Sequence, residues 1–271
     1  MSLKGKLTRL LICLLLLLSP LNAETAGGAY GLSWRKDVSL SLAGLGIFAV
    51  GQWRISHMEA YDGTFDKSDL FPWDRPFAGT WNVHADLASD ILSGTGVFPV
   101  AIALAGWHQG DLDGNDVATQ VLMLFEALSL QSGINLCVRS LRVWPRPLML
   151  GDQGGSERDA ADASGSFYSG HSSAAFTIAV FSGTWFQHTY PHSRWIPWVW
   201  TGTLTLATLT AALRVAAGKH YPTDVVTGAL IGSFIGWIVP RGHLVTHPTE
   251  QQTWEFALAP LPGGAQLQML F

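Results

Sequence analysis

The sequence predicts an all-α protein in which six helices form a bundle. Six apolar segments follow one another along the chain, and none shows the apolar–polar alternation of a β-strand. Alanine, leucine, glycine and threonine dominate these segments, which suits helices packed in an up-and-down bundle. The segments cover Val38–Trp53, Asp86–Trp107, Val117–Val138, Ser172–Trp185, Trp195–Leu213 and Thr223–Val239.

The composition is that of one domain with a large apolar core. The 271 residues are 48% hydrophobic and only 13% charged, so the chain has ample apolar surface to bury. The formal net charge is −4 and no basic block occurs, which argues against a nucleic-acid partner.

The first 23 residues are typical of a secretory signal peptide. Lys4, Lys6 and Arg9 give a positive start, an apolar run over Leu10–Leu18 follows, and Ala23 offers a small residue for cleavage. The apolar run is too short for a spanning helix. A retained anchor is the alternative interpretation.

The remaining chain divides into a polar linker, a helical domain and a tail. We expect the linker over residues 24–37, the domain over 38–241 and the tail over 242–271. Two short apolar stretches in the tail flank the turn Pro262-Gly263-Gly264, which predicts a β-hairpin.

Three short motifs, far apart in sequence, carry the residues needed to hold and attack a phosphate. The first runs from Arg139 to Pro147 and includes Arg146, and the second is Tyr168-Ser169-Gly170-His171. The third contains Arg214, His220 and Asp224.

Each residue type in these motifs suits phosphoryl chemistry. Arginine presents a planar fork that matches phosphate oxygens. Ser169 is a good N-cap for the helix that follows, and Gly170 lets the backbone amides approach an anion closely. Asp224 can accept the imidazole N–H of His220 and leave the other ring nitrogen free to attack. In an up-and-down bundle, the loops that carry the three motifs lie at the same end.

The order and spacing of the motifs resemble those of the type 2 phosphatidic acid phosphatase (PAP2) superfamily, over roughly residues 120 to 240. The resemblance implies a PAP2/haloperoxidase-like helical bundle that uses no metal and no cofactor. It implies that His220 is the nucleophile, that His171 protonates the leaving group and later activates water, and that Asp224 orients His220. The phosphate would be held by Arg139, Arg146, Ser169, Gly170 and Arg214.

Three positions depart from the family pattern. Arg139 stands where lysine is usual, Tyr168 replaces proline, and Leu213 replaces serine. None of these changes removes a group that the chemistry requires. Lys219, next to His220, could face either substrate or water, and the polar loop Asp152–Ser166 is either a lid or a solvated connection.

The sequence therefore predicts a phosphatase that hydrolyses a phosphate monoester or pyrophosphate through a phosphohistidine, with a phosphorylated lipid as the expected substrate. A vanadate-dependent haloperoxidase is the alternative enzyme, because that family looks similar around the same pocket. A non-catalytic envelope protein is the third hypothesis.

Tryptophan placement predicts a membrane interface at the end opposite the motifs. Six of the twelve tryptophans fall at segment ends that lie there: Trp107, Trp185, Trp195, Trp198, Trp200 and Trp237. We expect an inner-membrane protein of the cell envelope with its active site in the periplasm, and a soluble periplasmic protein is the alternative. A cleaved leader and a periplasmic site together require that Val38–Trp53 does not cross the bilayer.

Overall fold

The computed structural model describes residues 28–58, 65–158, 160–245, 255–261 and 264–270. Within these ranges the chain forms seven α-helices and one β-hairpin, which confirms the predicted all-α class. The expected signal peptide, residues 1–23, lies outside them. The helices are α1 (Trp34–Ser56), α2 (Val83–Ser93), α3 (Phe98–Gln109), α4 (Gly114–Arg139), α5 (Gly170–Thr189), α6 (Ile196–Ala216) and α7 (Pro222–Gly242).

The predicted C-terminal hairpin is present. Strand β1 spans Glu255–Leu261 and strand β2 spans Gly264–Leu270. The two strands pair antiparallel, with Glu255 opposite Leu270 and Leu261 opposite Gly264.

Two helix boundaries differ from the sequence-based expectation. The second apolar segment is broken into α2 and α3 by the 3-10 turn Gly94–Val97, because two glycines weaken the helix there and Pro99 favours a new helix start. Helix α1 begins at Trp34, inside the expected linker 24–37. A carboxylate oxygen of Asp37, in its first turn, accepts a hydrogen bond from the Ser33 amide at 2.5 Å.

Helix α5 is the centre of the bundle, and it packs most extensively against α7. Three glycines of α7 recur at every fourth residue, and a Cβ on any of them would collide with a backbone carbonyl of α5 or of Ser169, the residue just before it. The two backbones therefore approach as closely as in small-residue packing between membrane helices. The facing pairs are Gly228 with Ser169, Gly232 with Ser173, and Gly236 with Thr177.

Helix α1 lies parallel to α4 along the length of the bundle. Gly44 of α1 faces Ser129 of α4, and Gly51, seven residues later, faces Leu136. The side chain of Ser41 donates to Glu126 at 3.3 Å, in the same register. The expectation from the sequence is that Val38–Trp53 does not cross the bilayer. The structure packs α1 against α4 along its length, so the two helices would cross a membrane together.

The alternating helices give the bundle two ends. We call the end with the loops 57–82, 140–169 and 217–221 the motif end, and the other the distal end. The first two of these loops are joined by a hydrogen bond from the Gly79 amide to the Pro147 carbonyl at 2.8 Å. At the distal end, Tyr30 pairs with Leu244, so the start of α1 lies beside the end of α7.

Five helical segments are long and apolar enough to cross a membrane: Trp34–Ser56, Val83–Gln109, Gly114–Arg139, Ile196–Ala216 and Pro222–Gly242. Their outward faces carry exposed apolar side chains, such as Leu87, Ile91, Leu230 and Phe234. These features support membrane association. Of the tryptophans expected to form a belt, Trp107, Trp195, Trp198 and Trp237 are exposed, whereas Trp185 is buried in the core.

Candidate active site

The structure brings the three sequence motifs together at the motif end. Arg139 ends α4, and its side chain donates from Nε to the Gly165 carbonyl at 3.3 Å. The Ser169 amide, just before α5, donates to the Asp224 carbonyl of α7 at 3.1 Å. Both Arg146 and Arg214 are buried there.

The N-terminus of α5 is fixed by polar side chains of α4. Ser169 Oγ caps the helix by accepting from the Ser172 amide at 3.3 Å. Asn135 Nδ2 donates to the Tyr168 carbonyl at 2.7 Å. A Cβ at Gly170 would lie 2.6 Å from Asn135 Oδ1, so a larger residue would displace the side chain that holds Tyr168. The start of α5 is thus held rigidly, with its first-turn amides suited to an anion.

His220 is buried in the loop between α6 and α7. Its Nδ1 lies 3.4 Å from Ser166 Oγ and 3.5 Å from Asp224 Oδ2. The Ser166 hydroxyl donates to Asp224 Oδ2 at 2.6 Å, which leaves a lone pair of that hydroxyl for the imidazole N–H. The arrangement favours a proton on Nδ1 and a free lone pair on Nε2.

Asp224 is held by three hydrogen bonds in the first turn of α7. Besides Ser166, the donors are the Tyr221 amide at 2.9 Å and Trp144 Nε1 at 3.0 Å. The contact with His220 is longer than any of these, so Asp224 acts on the imidazole mainly through Ser166.

Positive charge surrounds His220. Burial lowers the pKa of His220 well below its usual value, and the nearby guanidinium groups of Arg214, Arg146 and Arg139 lower this pKa further. His220 is therefore neutral at neutral pH, which is the form that can attack phosphorus.

Two carboxylates of α2 lie in the same site. Arg214 Nη1 donates to Asp86 Oδ1 at 2.8 Å and to Asp90 Oδ1 at 3.3 Å. Asp90 Oδ1 also lies 3.2 Å from His171 Nε2, so one oxygen bridges the arginine and the histidine. The Nε of Arg214 is buried and has no hydrogen-bond partner within the described ranges.

Lys219 is buried beside His220, and its ammonium group has three neighbours. It lies 3.3 Å from Asp86 Oδ2, forms an ion pair with Glu157, and sits 5.1 Å from the centroid of the Trp81 ring. Glu157 belongs to the polar loop Asp152–Ser166, so this loop is attached to the site.

The motifs marked the site residues but not all of their partners. Trp144 lies within the first motif at a position to which no role was assigned, and Ser166 and Glu157 lie outside the motifs, where nothing in the sequence marks them. Asp86 and Asp90 did give a signal, because two carboxylates one turn apart in an apolar helix are costly unless they face polar partners.

A second cluster of ionisable groups lies towards the distal end. His243 Nε2 is 3.1 Å from Asp37 Oδ1 and 3.1 Å from Glu126 Oε2, and all three residues are buried. Within the described ranges, these are the residues grouped closely enough to hold a metal ion. Burial alone would lower the pKa of His243, but its hydrogen bonds to Asp37 and Glu126 outweigh burial and raise the pKa to about 9. A protonated His243 places one positive charge between the two carboxylates.

Comparisons with known proteins agree with the motifs. Residues 121–246 match the family model of the PAP2 superfamily. No curated protein matches the chain. Among solved structures, the chain is similar to a transmembrane PAP2 type phosphatidylglycerolphosphate phosphatase from Bacillus subtilis. The two are 16% identical, the match covers 87% of this chain and 94% of that one, and the TM-score is 0.38.

Proposed function

We propose that this chain is a metal-independent phosphatase of the PAP2 type that acts on a phosphorylated lipid, because residues 121–246, which contain all three motifs, match the PAP2 superfamily model. The observation that carries the proposal is the environment of His220. A buried, neutral imidazole is surrounded by guanidinium groups, and its Nδ1 is directed towards Ser166 and Asp224. A neutral nucleophile within a cationic pocket suits attack on a phosphate.

In the first step, His220 Nε2 attacks the phosphorus atom. A nitrogen–phosphorus bond forms and the ester oxygen–phosphorus bond breaks, while His171 donates a proton to the departing oxygen. In the free protein, burial and the guanidinium groups of Arg214 and Arg146 lower the pKa of His171 to about 3. The negative charge of the bound phosphate, together with Asp90 at 3.2 Å from His171 Nε2, must therefore stabilise the imidazolium form that supplies this proton. Arg139, Arg146, Arg214, Ser169 and the Gly170 amide hold the phosphoryl oxygens as charge develops on them.

In the second step, water attacks the phosphohistidine. His171, now neutral, accepts a proton from the water, the nitrogen–phosphorus bond breaks, and inorganic phosphate leaves. Asp224 and Ser166 stabilise the Nδ1 proton of His220 through both steps.

The surroundings of the site favour a lipid substrate. A row of aromatic rings leads from the surface to the site, with Phe71 stacked on Trp73, Phe71 edge-on to Trp144, and Trp144 edge-on to Phe167. Phe71 and Trp73 are exposed at the motif end of helices that are apolar enough for a bilayer. Such a row suits an acyl or prenyl chain next to a bound phosphate.

The packing of α1 bears on the expected topology. If α1 crosses the membrane with α4, the start of α1 and the motif end lie on opposite sides. The periplasmic active site and the cleaved leader both remain our proposals, and they hold together only if α1 does not cross the bilayer.

Thiol labelling tests this topology. In a background without Cys13 and Cys137, we would place single cysteines at Gln153, exposed at the motif end, and at Gln109, exposed at the distal end. An impermeant reagent should label Gln153→Cys in intact spheroplasts and Gln109→Cys only after lysis. The reverse pattern would place the active site in the cytoplasm.

A phosphate-release screen tests the function. The purified protein in detergent would be offered phosphatidate, phosphatidylglycerophosphate, a polyprenyl diphosphate and lipid A, with His220→Ala as the control. We expect release from at least one lipid by the unmodified protein and none by the variant. Binding without release would favour a non-catalytic role, and vanadate-dependent bromide oxidation would favour a haloperoxidase.

A further inference from the structure

Lys219 is a buried cation that the proposed reaction does not use. It stands directly before His220, and only 5% of its surface is exposed. Burying an ammonium group is costly unless it is paired, so its partners indicate what the position is built to bind.

The partners of Lys219 are two carboxylates of different kinds. Asp86 lies on α2, and its other oxygen is held by Arg214 at 2.8 Å. Glu157 lies in the loop Asp152–Ser166, and 49% of its side chain is exposed. Glu157 is therefore the partner that can leave Lys219 at the lower cost, because its own charge is already half solvated.

Lys219 and Arg214 bind the two oxygens of the same carboxylate. Lys219 Nζ lies 3.3 Å from Asp86 Oδ2, and Arg214 Nη1 lies 2.8 Å from Asp86 Oδ1. The Asp86 carboxylate therefore lies between the two cations and contacts one of them with each oxygen. A ligand with two neighbouring anionic groups can contact both.

On the premise of the proposed phosphatase reaction, on which this inference rests, we propose that Lys219 is a second anion subsite. It binds a negatively charged oxyanion on the leaving group while Arg214 holds the phosphoryl group that is transferred. Glu157 occupies this subsite in the free protein and is displaced when substrate binds. The site thus prefers phosphate esters whose leaving group is itself anionic.

Space for such a leaving group lies beside Trp81, the aromatic neighbour of Lys219. A cavity of about 640 Å³ opens at the motif end. Trp81, whose ring carries the Lys219 ammonium group, is part of its wall, together with Asn82, Lys67 and Ala216. Polar groups in this wall suit a hydrated headgroup, whereas the aromatic row through Phe71 and Trp144 suits the hydrocarbon chain.

Binding measurements test the subsite without relying on turnover. Pyrophosphate and orthophosphate would be titrated into the full-length protein and into Lys219→Met, which keeps the chain length and removes the charge. We expect Lys219→Met to weaken pyrophosphate binding by about tenfold to a hundredfold and orthophosphate binding by much less, because a charge-assisted contact is lost from one ligand only. Equal weakening for both anions, or none, would overturn the proposal.

Kinetics then identify the source of the second charge. Phosphatidate, with a neutral leaving group, would be compared with a polyprenyl diphosphate and with phosphatidylglycerophosphate. Lys219→Met should reduce kcat/KM for the anionic leaving groups about tenfold to a hundredfold more than for phosphatidate. If kcat/KM falls only for the diphosphate, the subsite binds the phosphate group that stays on the leaving prenyl chain. If kcat/KM falls only for phosphatidylglycerophosphate, the subsite binds the phosphodiester.

Glu157→Gln provides the opposite change. Removal of the competing carboxylate should lower KM for the anionic leaving groups with little change in kcat. Asp69→Asn, which removes an exposed carboxylate at the motif end outside the cavity wall, is the matched control and should change neither. An unchanged KM in Glu157→Gln would show that substrate does not displace Glu157 from Lys219. If no substrate is hydrolysed but the pyrophosphate selectivity is present, the phosphatase proposal fails and the subsite stands.

Discussion

Helix α7 has a buried histidine at each end, and the two are in opposite states. His220 precedes the helix among guanidinium groups, and its pKa is lowered well below the usual value by burial and by those charges. His243 follows the helix between Asp37 and Glu126, and despite burial its pKa is raised to about 9. Burial alone would make both histidines neutral.

The difference shows that the sign of the nearest charges decides what a buried histidine can do. The neutral His220 has a lone pair for attack, whereas the protonated His243 joins α1, α4 and α7 through two ion pairs. Asp90, at the motif end, is also less enclosed than Asp37, since 55% of the Asp90 side chain is exposed against 2% for Asp37. One cluster is open to a ligand, and the other is closed.

The largest effect among the partners of His220 is expected at Asp224. Asp224→Asn keeps the shape of the side chain but removes the charge that stabilises the Nδ1 proton, so kcat should fall by about 10³–10⁴-fold. Asp74→Asn is the matched control, because Asp74 is also buried at this end of α7 and accepts from the Thr223 amide at 3.1 Å. A loss of less than tenfold in Asp224→Asn would mean that Ser166 alone orients His220.

His171→Ala should reduce the rate of phosphohistidine formation on alkyl esters by about 10²–10⁴-fold, because the leaving oxygen loses its proton donor. An aryl phosphate has a better leaving group and should lose less in the same step. Single-turnover quenched-flow measurements separate this step from hydrolysis. Equal losses on both substrates would show that His171 does not act as the acid.

Disruption of the cluster of His243, Asp37 and Glu126 should lower stability and leave catalysis intact. His243→Gln removes the charge shared by two buried carboxylates, which should lower the free energy of unfolding by about 3–5 kcal/mol. Thermal melts in detergent measure the change, and activity per folded molecule should stay near that of the unmodified protein. A loss of activity without a loss of stability would contradict the division between the two clusters.

The pH dependence of stability follows from the raised pKa of His243. A proton bound more tightly in the folded state stabilises it fully below the usual histidine pKa of 6.5, and this stabilisation is lost as pH rises towards about 9. The melting temperature should therefore fall between these pH values in the unmodified protein, and fall less in His243→Gln. Parallel curves for the two proteins would exclude a protonated His243.

The smallest effect is expected from metal removal. Arginines and helix amides supply the positive charge that a metal supplies in other phosphatases. Dialysis against a chelator should leave phosphate release unchanged, and vanadate should inhibit it. Activity lost in chelator and restored by magnesium would contradict this mechanism.

The sequence predicted the helices and the motif residues, which depend on neighbouring positions in the chain. It missed the partners of those residues, which depend on contacts between distant segments. Apolar segments and motif spacing indicated the helices and the residues His171, Arg214 and His220. The break at Gly94–Val97 was missed, although its glycines were visible, because the apolar run continues through it. Ser166 and Glu157 belong to no motif, and their positions follow only from how the loop Asp152–Ser166 folds over α7. The His243 cluster joins residues from three helices, so no spacing reveals it.

The most direct measurement is to trap a phosphoryl group on His220. His171→Ala should form the adduct from an aryl phosphate and hydrolyse it slowly, because the general base is missing. We expect an acid-labile, alkali-stable phosphoryl group that peptide mass spectrometry at neutral pH assigns to His220 and that His220→Asn abolishes. Steady phosphate release with no adduct, or an adduct on another residue, would contradict the account.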